Sequence, residues 1–165
     1  MLPFLDGAFG NPSSYHRLGR QARSAVERAR RIIADIFGCS PAEVVFTGGG
    51  TEANNLALRG AACALKDRGR HIITTAVEHH SVLKTVDALE RDGCEVTIVS
   101  VDAQGVVDPR SVIDALRDDT ILVSVMHANN ETGALQPVEE LGRAVRKRGV
   151  LFHTDTVQAF GKIAL

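Results

Sequence analysis

Apolar residues Leu18, Ala22, Ala25, Val26, Ala29, Ile32, Ile33, Ile36 and Phe37 recur at steps of three and four. That spacing predicts one face of a long amphipathic helix. Gly38 stands where a helix-ending left-handed residue is wanted. Downstream the pattern changes to short apolar, β-branched runs at residues 44–47, 71–77, 95–101, 121–127 and 150–154. These runs are largely continuous rather than alternating, which predicts strands covered on both faces. Helices are expected near residues 51–67, 81–91, 109–117 and 137–148. Gly69, Gly93 and Gly149 follow three of them, and Asp108-Pro109 has the cap-then-proline form of a helix start. Strand–helix alternation implies parallel pairing through right-handed crossovers. The expected class is α/β, a three-layer α/β/α sandwich around a mostly parallel sheet.

Composition narrows the setting. The 165 residues are 44% hydrophobic and 24% charged, which fits one ordinary domain and excludes disordered or collagen-like chains. Nineteen basic residues against twenty acidic give a net charge of −1, so no global field recruits nucleic acid or an anionic membrane. No apolar run reaches the roughly 20 residues needed to span a bilayer, and MLPFLDGAFG lacks the features of a secretory signal. A cytoplasmic protein is expected. Arg17, Arg20, Arg23, Arg28, Arg30 and Arg31 occupy the other face of the first helix. In a neutral chain they read as a solvated face rather than a polyanion site. Cys39, Cys63 and Cys94 form no paired or ligand-spaced motif and read as reduced thiols packed as small hydrophobes. Adjacent His79 and His80 cannot point the same way, so no metal site is expected.

In parallel α/β sheets, ligands bind at the carboxyl ends of the strands, and polar residues gather after the predicted strands here. Residues 47–51, Thr-Gly-Gly-Gly-Thr, open a helix. Such a turn lets the backbone approach an anion at a helix N-terminus, although it is neither a Walker loop nor GxGxxG. A plain strand–helix turn fits it equally well. His79 follows a strand, where an imidazole can stack on a flat ligand or carry protons, or simply begin a helix. Asn130 lies in an Asn-Asn-Glu loop, either as a hydrogen-bond donor or as a turn former. Asp155 ends an apolar strand three residues before Gln158. A carboxylate there is a helix cap or the partner of a buried cation, for example a protonated pyridine nitrogen. Phosphate turn, stacking histidine, amide donor and carboxylate together are what a pyridoxal phosphate site needs.

At these residues the sequence resembles the cysteine desulfurases of the class V aminotransferase family, enzymes of the fold-type I architecture that use pyridoxal 5'-phosphate (PLP). The resemblance covers essentially the whole chain. It runs through Phe9-Gly10-Asn11-Pro12-Ser13-Ser14, Phe46-Thr47 with the glycines to Thr51-Glu52-x-Asn54-Asn55, and Glu78-His79. It continues through Met126-His127-x-Asn129-Asn130-Glu131-x-Gly133 and His153-x-Asp155-x-x-Gln158 to Gly161-Lys162. It implies that Gly50 and Thr51 hold the cofactor phosphate. His79 would stack on the ring and assist proton transfer, and Asn130 would lie beside the ring and the substrate carboxylate. Asp155 would pair with the ring nitrogen, and Gln158 would bond the phenolic oxygen. The implied reaction removes sulfur from L-cysteine, giving L-alanine and a protein-bound persulfide for iron–sulfur cluster assembly or tRNA thiolation. The implied assembly is a homodimer that serves sulfur-acceptor proteins.

The resemblance also implies parts this sequence does not carry. The family's cofactor-anchoring lysine lies in a Ser-x-His-Lys segment downstream of Asp-x-x-Gln, and Lys66, Lys84, Lys147 and Lys162 do not match it. None of the three cysteines matches the persulfide-forming one. The expectation is therefore that residues 1–165 form a partial PLP-binding large domain without the small domain, inactive by themselves. In the family, strand 44–47 pairs with a later antiparallel strand, so here it is expected to be an unpaired edge or to be completed by another chain. Two other readings stay open: a non-catalytic interaction module built on the same fold, and a related class V enzyme such as a selenocysteine lyase or a kynureninase-like enzyme.

Overall fold

The structure, a computed structural model, describes residues 2–163, and its backbone forms two compact units, Met1–Phe46 and Thr47–Leu165. In the first, a short helix α1 (Leu2–Leu5) precedes the long helix α2 (Arg17–Phe37). The His16 side chain accepts the Gly19 amide at its start. At its end Gly38 adopts φ +62°, and the amides of Gly38 and Cys39 return to the carbonyls of Asp35 and Ala34, a Schellman closure that needs a residue without Cβ strain. The apolar face of α2 is mostly exposed: Ala22 and Ala34 are buried, whereas Ile32 and Ile36 are more than half exposed.

After a 3-10 turn at Pro41–Glu43, Val44 is extended, but residues 44–47 join no strand ladder among the described residues. This corrects the expectation of a fifth strand: an apolar run becomes a strand only when a neighbour takes its amides and carbonyls. Arg30 donates to the Val44 carbonyl and lies 5.0 Å above the Phe46 ring. One arginine of the supposedly solvated face thus holds this segment.

The second unit is the α/β layer. Its elements are α3 (Gly50–Ala64), β1 (His71–Thr75), α4 (His80–Arg91), β2 (Glu95–Val99), α5 (Pro109–Asp114), β3 (Thr120–Ser124), α6 (Val138–Lys147) and β4 (Leu151–His153). The four strands are parallel in the order β2-β1-β3-β4. Central strands β1 and β3 are buried along their whole length, whereas edge strands β2 and β4 are only partly covered. Alternate residues feed two cores. Ile72 and Leu122 pack with Leu58, Val82 and Val86 of α3 and α4, while Ile73 and Val123 pack with Val112, Leu141 and Val145 of α5 and α6. These are the three layers the alternation predicts. The Asp108 carboxylate caps α5 through the Arg110 amide, with Pro109 behind it. Gly69 is required by packing: a Cβ there would meet the Asp119 carbonyl oxygen at 2.1 Å.

Two leucines of α3 separate core from surface. Leu58 is fully buried and Leu56 is 53% exposed. Leu58→Ala is expected to cost about 3 kcal/mol in chemical denaturation, as buried leucine truncations do, and Leu56→Ala less than about 0.5 kcal/mol.

Candidate functional site

The winding of the sheet creates the site. The chain leaves β1 for β2 on one side and then crosses to β3 on the other. The segments leaving the carboxyl ends of β1 and β3 therefore diverge and leave a crevice, the place where open α/β sheets hold ligands. A cavity of about 220 Å³ opens there, lined by Gly50, Thr51, His79, Asn130, Asp155 and Gln158 together with Ser81, Met126, Ala128 and Val157. The structure thus brings together every candidate residue singled out in the sequence, from four separate segments.

Gly50 and Thr51 begin α3. The N-cap is Gly49, so no side chain closes the helix end, and the first-turn amides have no partner within the helix. The Glu52 carboxylate accepts the Gly48 amide at 2.6 Å, which fixes the turn. A Cβ on Gly50 would sit 2.7 Å from the Val157 side chain, so glycine keeps this wall of the cavity open.

Asp155, 8% exposed, accepts the Val157 amide on Oδ1 at 3.0 Å and the Asn54 amide on Oδ2 at 2.7 Å. The same Asn54 nitrogen donates to Ser81 Oγ at 2.8 Å. Ser81 Oγ lies 2.8 Å from His79 Nδ1, which also accepts the Ser81 main-chain amide at 3.1 Å. A continuous hydrogen-bonded line therefore runs from the carboxylate to the imidazole. Its polarity sets the tautomer: Nδ1 is an acceptor, so the neutral ring carries its proton on Nε2. The His79 ring itself is exposed, free to lie against a flat ligand.

The paired asparagines divide their work. Asn129 accepts the amides of Glu131 and Thr132 and donates to the Val77 carbonyl. That shapes the loop and leaves Asn130 on the cavity wall. Gln158 accepts Lys162 Nζ on its side-chain carbonyl at 3.0 Å, which leaves its NH₂ group as the donor.

Sequence reasoning gave no role to Asn54, Ser81 or Glu78. Glu78, 5% exposed, accepts the Thr75 hydroxyl and the Met126 amide on Oε1, both at 2.8 Å, while its buried Oε2 has no partner among the described residues. Burial pushes its carboxyl up to about 7, against the opposing pull of those two hydrogen bonds, and Asp155 adds a further push upward. Burial also holds His71 and His153 below the usual imidazole range. The signal available for Glu78 was its place directly after an apolar strand, beside His79.

A larger cavity of about 370 Å³ is lined by Arg59, Lys66 and Arg70 with Cys63 and Cys94. It lies where α3 and α4 end, so the helix dipoles already supply negative charge for these cations. Cys63 is exposed there, which corrects the expectation that all three thiols are packed. Cys94 is pushed up by burial and by Asp92, a setting unsuited to a thiolate.

Comparison with known proteins places this geometry in context. The aminotransferase class-V family model matches residues 1–165. The chain is 53% identical over 165 residues to a putative cysteine desulfurase IscS 1 of Bacillus subtilis, covering 100% of this chain and 44% of that one. A solved NifS-like protein superposes with a TM-score of 0.93 at 42% identity, over 99% of this chain and 46% of that one. The structure of SspA in complex with cysteine superposes at 0.92 with 39% identity, over 99% and 47% of the two chains. The chain thus spans less than half the length of the relatives it matches.

The buried carboxyl gives the site a pH signature. Glu78 stays protonated in the fold to about 7, against an ordinary value of 4.5. The folded form therefore binds more protons than the unfolded one between these values, and stability from this group falls as pH rises through that window. The full effect is about 3 kcal/mol. His71 and His153 act in the opposite sense, because they bind fewer protons when folded. The stability of the native chain minus that of Glu78→Gln is therefore expected to fall from pH 4.5 to pH 7 and then level off, as read from denaturation curves of both proteins.

Proposed function

This chain belongs to the aminotransferase class-V family, and from that premise we propose that its crevice holds pyridoxal 5'-phosphate for the removal of sulfur from L-cysteine. The observation that carries this reading is the meeting of Gly50, Thr51, His79, Asn130, Asp155 and Gln158 in one cavity. Pyridoxal phosphate is the cofactor of the family, and two features of this chain suit it. The open wall at Gly50 beside an uncapped helix start suits a phosphate. A buried carboxylate with both oxygens already oriented suits a protonated ring nitrogen.

In this reading Gly50 and Thr51 bind the phosphate, and Asp155 pairs with the ring nitrogen. The Gln158 NH₂ group donates to the phenolic oxygen, because Lys162 occupies its carbonyl. His79 lies on the ring face and holds a transferable proton on Nε2. Asn130 sits where the substrate carboxylate binds. When bound, the cofactor supplies an electron sink for charge developing on the substrate. The products are L-alanine and a protein-bound persulfide, passed to acceptor proteins for iron–sulfur cluster assembly or tRNA thiolation. Residues 1–165 form part of the PLP-binding domain of a homodimer. The three free cysteines support a reducing, cytoplasmic setting. Among the described residues no lysine lines the cavity.

Titration with pyridoxal phosphate, followed by absorbance and fluorescence, tests the proposal. The chain is expected to bind saturably, and Asp155→Asn, which keeps an acceptor but loses the charge, to weaken binding about tenfold or more. The 165 residues alone are expected to release no alanine from L-cysteine, for want of a lysine at the cavity. Binding unchanged in Asp155→Asn would remove the ring-nitrogen assignment. A chain that binds no cofactor yet forms a stable complex would favour a non-catalytic interaction module.

A further inference from the structure

We propose that Glu78 is a positioning residue of this site, a side chain that stands in for a missing strand residue on the edge of β3 and holds the 126–130 segment against the crevice. The register shows why one is needed. Beyond β3 the amides of Val125 and His127 point toward β4 and donate to the carbonyls of His153 and Asp155. The intervening amide of Met126 therefore points toward β1. The parallel pairing of β1 with β3 reaches only Thr74 against Ser124, and past Thr75 the chain turns away to His79 and α4. Met126 would present a buried, unpaired N–H there, which is costly in a site closed to water. Glu78 Oε1 fills the position instead, 2.8 Å from that amide, and the Thr75 hydroxyl braces it from the end of β1.

One carboxyl oxygen thus joins the two segments whose divergence makes the cavity, and both of its neighbours along them, His79 and Met126, line that cavity. The buried Oε2, without a partner among the described residues, fits the upward push on this carboxyl, because burial disfavours the charged form. Asp155 is the charged group that acts on it. The positioning role rests on the cofactor reading only for what the pocket holds.

The test compares the native chain with Glu78→Gln, which keeps the Oε1 acceptor without charge, and with Glu78→Asp and Glu78→Ala, which cannot reach Met126. Amide hydrogen exchange and pyridoxal phosphate affinity are read on each. The Met126 amide is expected to stay protected in Glu78→Gln and to exchange about tenfold faster or more in the other two. Ile72 and Val123 in the sheet should keep their protection throughout. Cofactor affinity should follow the same order, near native in Glu78→Gln and about tenfold weaker or more in Glu78→Ala. Native protection of Met126 in Glu78→Ala, loss of protection in Glu78→Gln, or equal loss at Ile72 and Val123 would each overturn the proposal, the last by making Glu78 a support of the whole fold. A native chain that binds no cofactor would refute the cofactor reading, while the exchange data would still decide the role of Glu78.

Discussion

The side-chain amide of Asn54 is the joint on which the site depends. Its one nitrogen donates to Asp155 beyond β4 and to Ser81 on α4 while its own backbone belongs to α3. A carboxylate buried as deeply as Asp155 is tolerated because both its oxygens accept hydrogen bonds, and Asn54 supplies the bond that does not come from Asp155's own loop. The same joint orients Ser81, and Ser81 in turn decides which nitrogen of His79 carries the proton. A cation-pairing group, a proton-carrying group and a helix start are thereby fixed relative to one another by neutral groups.

The crevice these groups line is a consequence of chain winding rather than of any one residue. Reversing direction between β1 and β3 places α3 and α4 over one face of the sheet and α5 and α6 over the other. The reversal leaves a gap at the carboxyl edge, and a gap in a sheet exposes main-chain amides that must be paired. The Glu78 side chain answers that need at Met126, as the Asp155 and His153 carbonyls do on the β4 side. The polar groups that close the broken sheet edge are thus interleaved with those that line the cavity. This accounts for an unpartnered carboxyl oxygen so close to the site.

The layered fold was legible because each strand–helix unit carries its own punctuation, such as Asp108-Pro109 before α5 and Gly93 after α4. His79, Asn130, Asp155 and Gln158 were legible because they lie in the segments that leave the carboxyl ends of strands, where the architecture puts ligands, and Gly50 and Thr51 because a glycine-rich turn opens a helix there. Asn54 and Glu78 were not: their decisive contacts lie 101 and 48 residues away, and nothing in local spacing encodes them. Residues 44–47 misled for the related reason that strand character is conferred by a partner. Arg30 shows the limit of reading a charge row by its neighbours, since its guanidinium serves a carbonyl and an aromatic ring rather than solvent. The apolar stripe of α2 correctly signals a helix but not burial, as the exposure of Ile32 and Ile36 shows.

The central claim is that Asp155, held by Asn54, is the group that meets the cofactor's ring nitrogen. The most direct measurement is the ¹⁵N resonance of pyridoxal phosphate labelled at that nitrogen and bound to the chain. The account predicts a protonated nitrogen in the native protein and an unprotonated one in Asp155→Asn at the same pH. A ring nitrogen without its proton in the native complex, or one whose protonation is indifferent to the Asp155 charge, would contradict it.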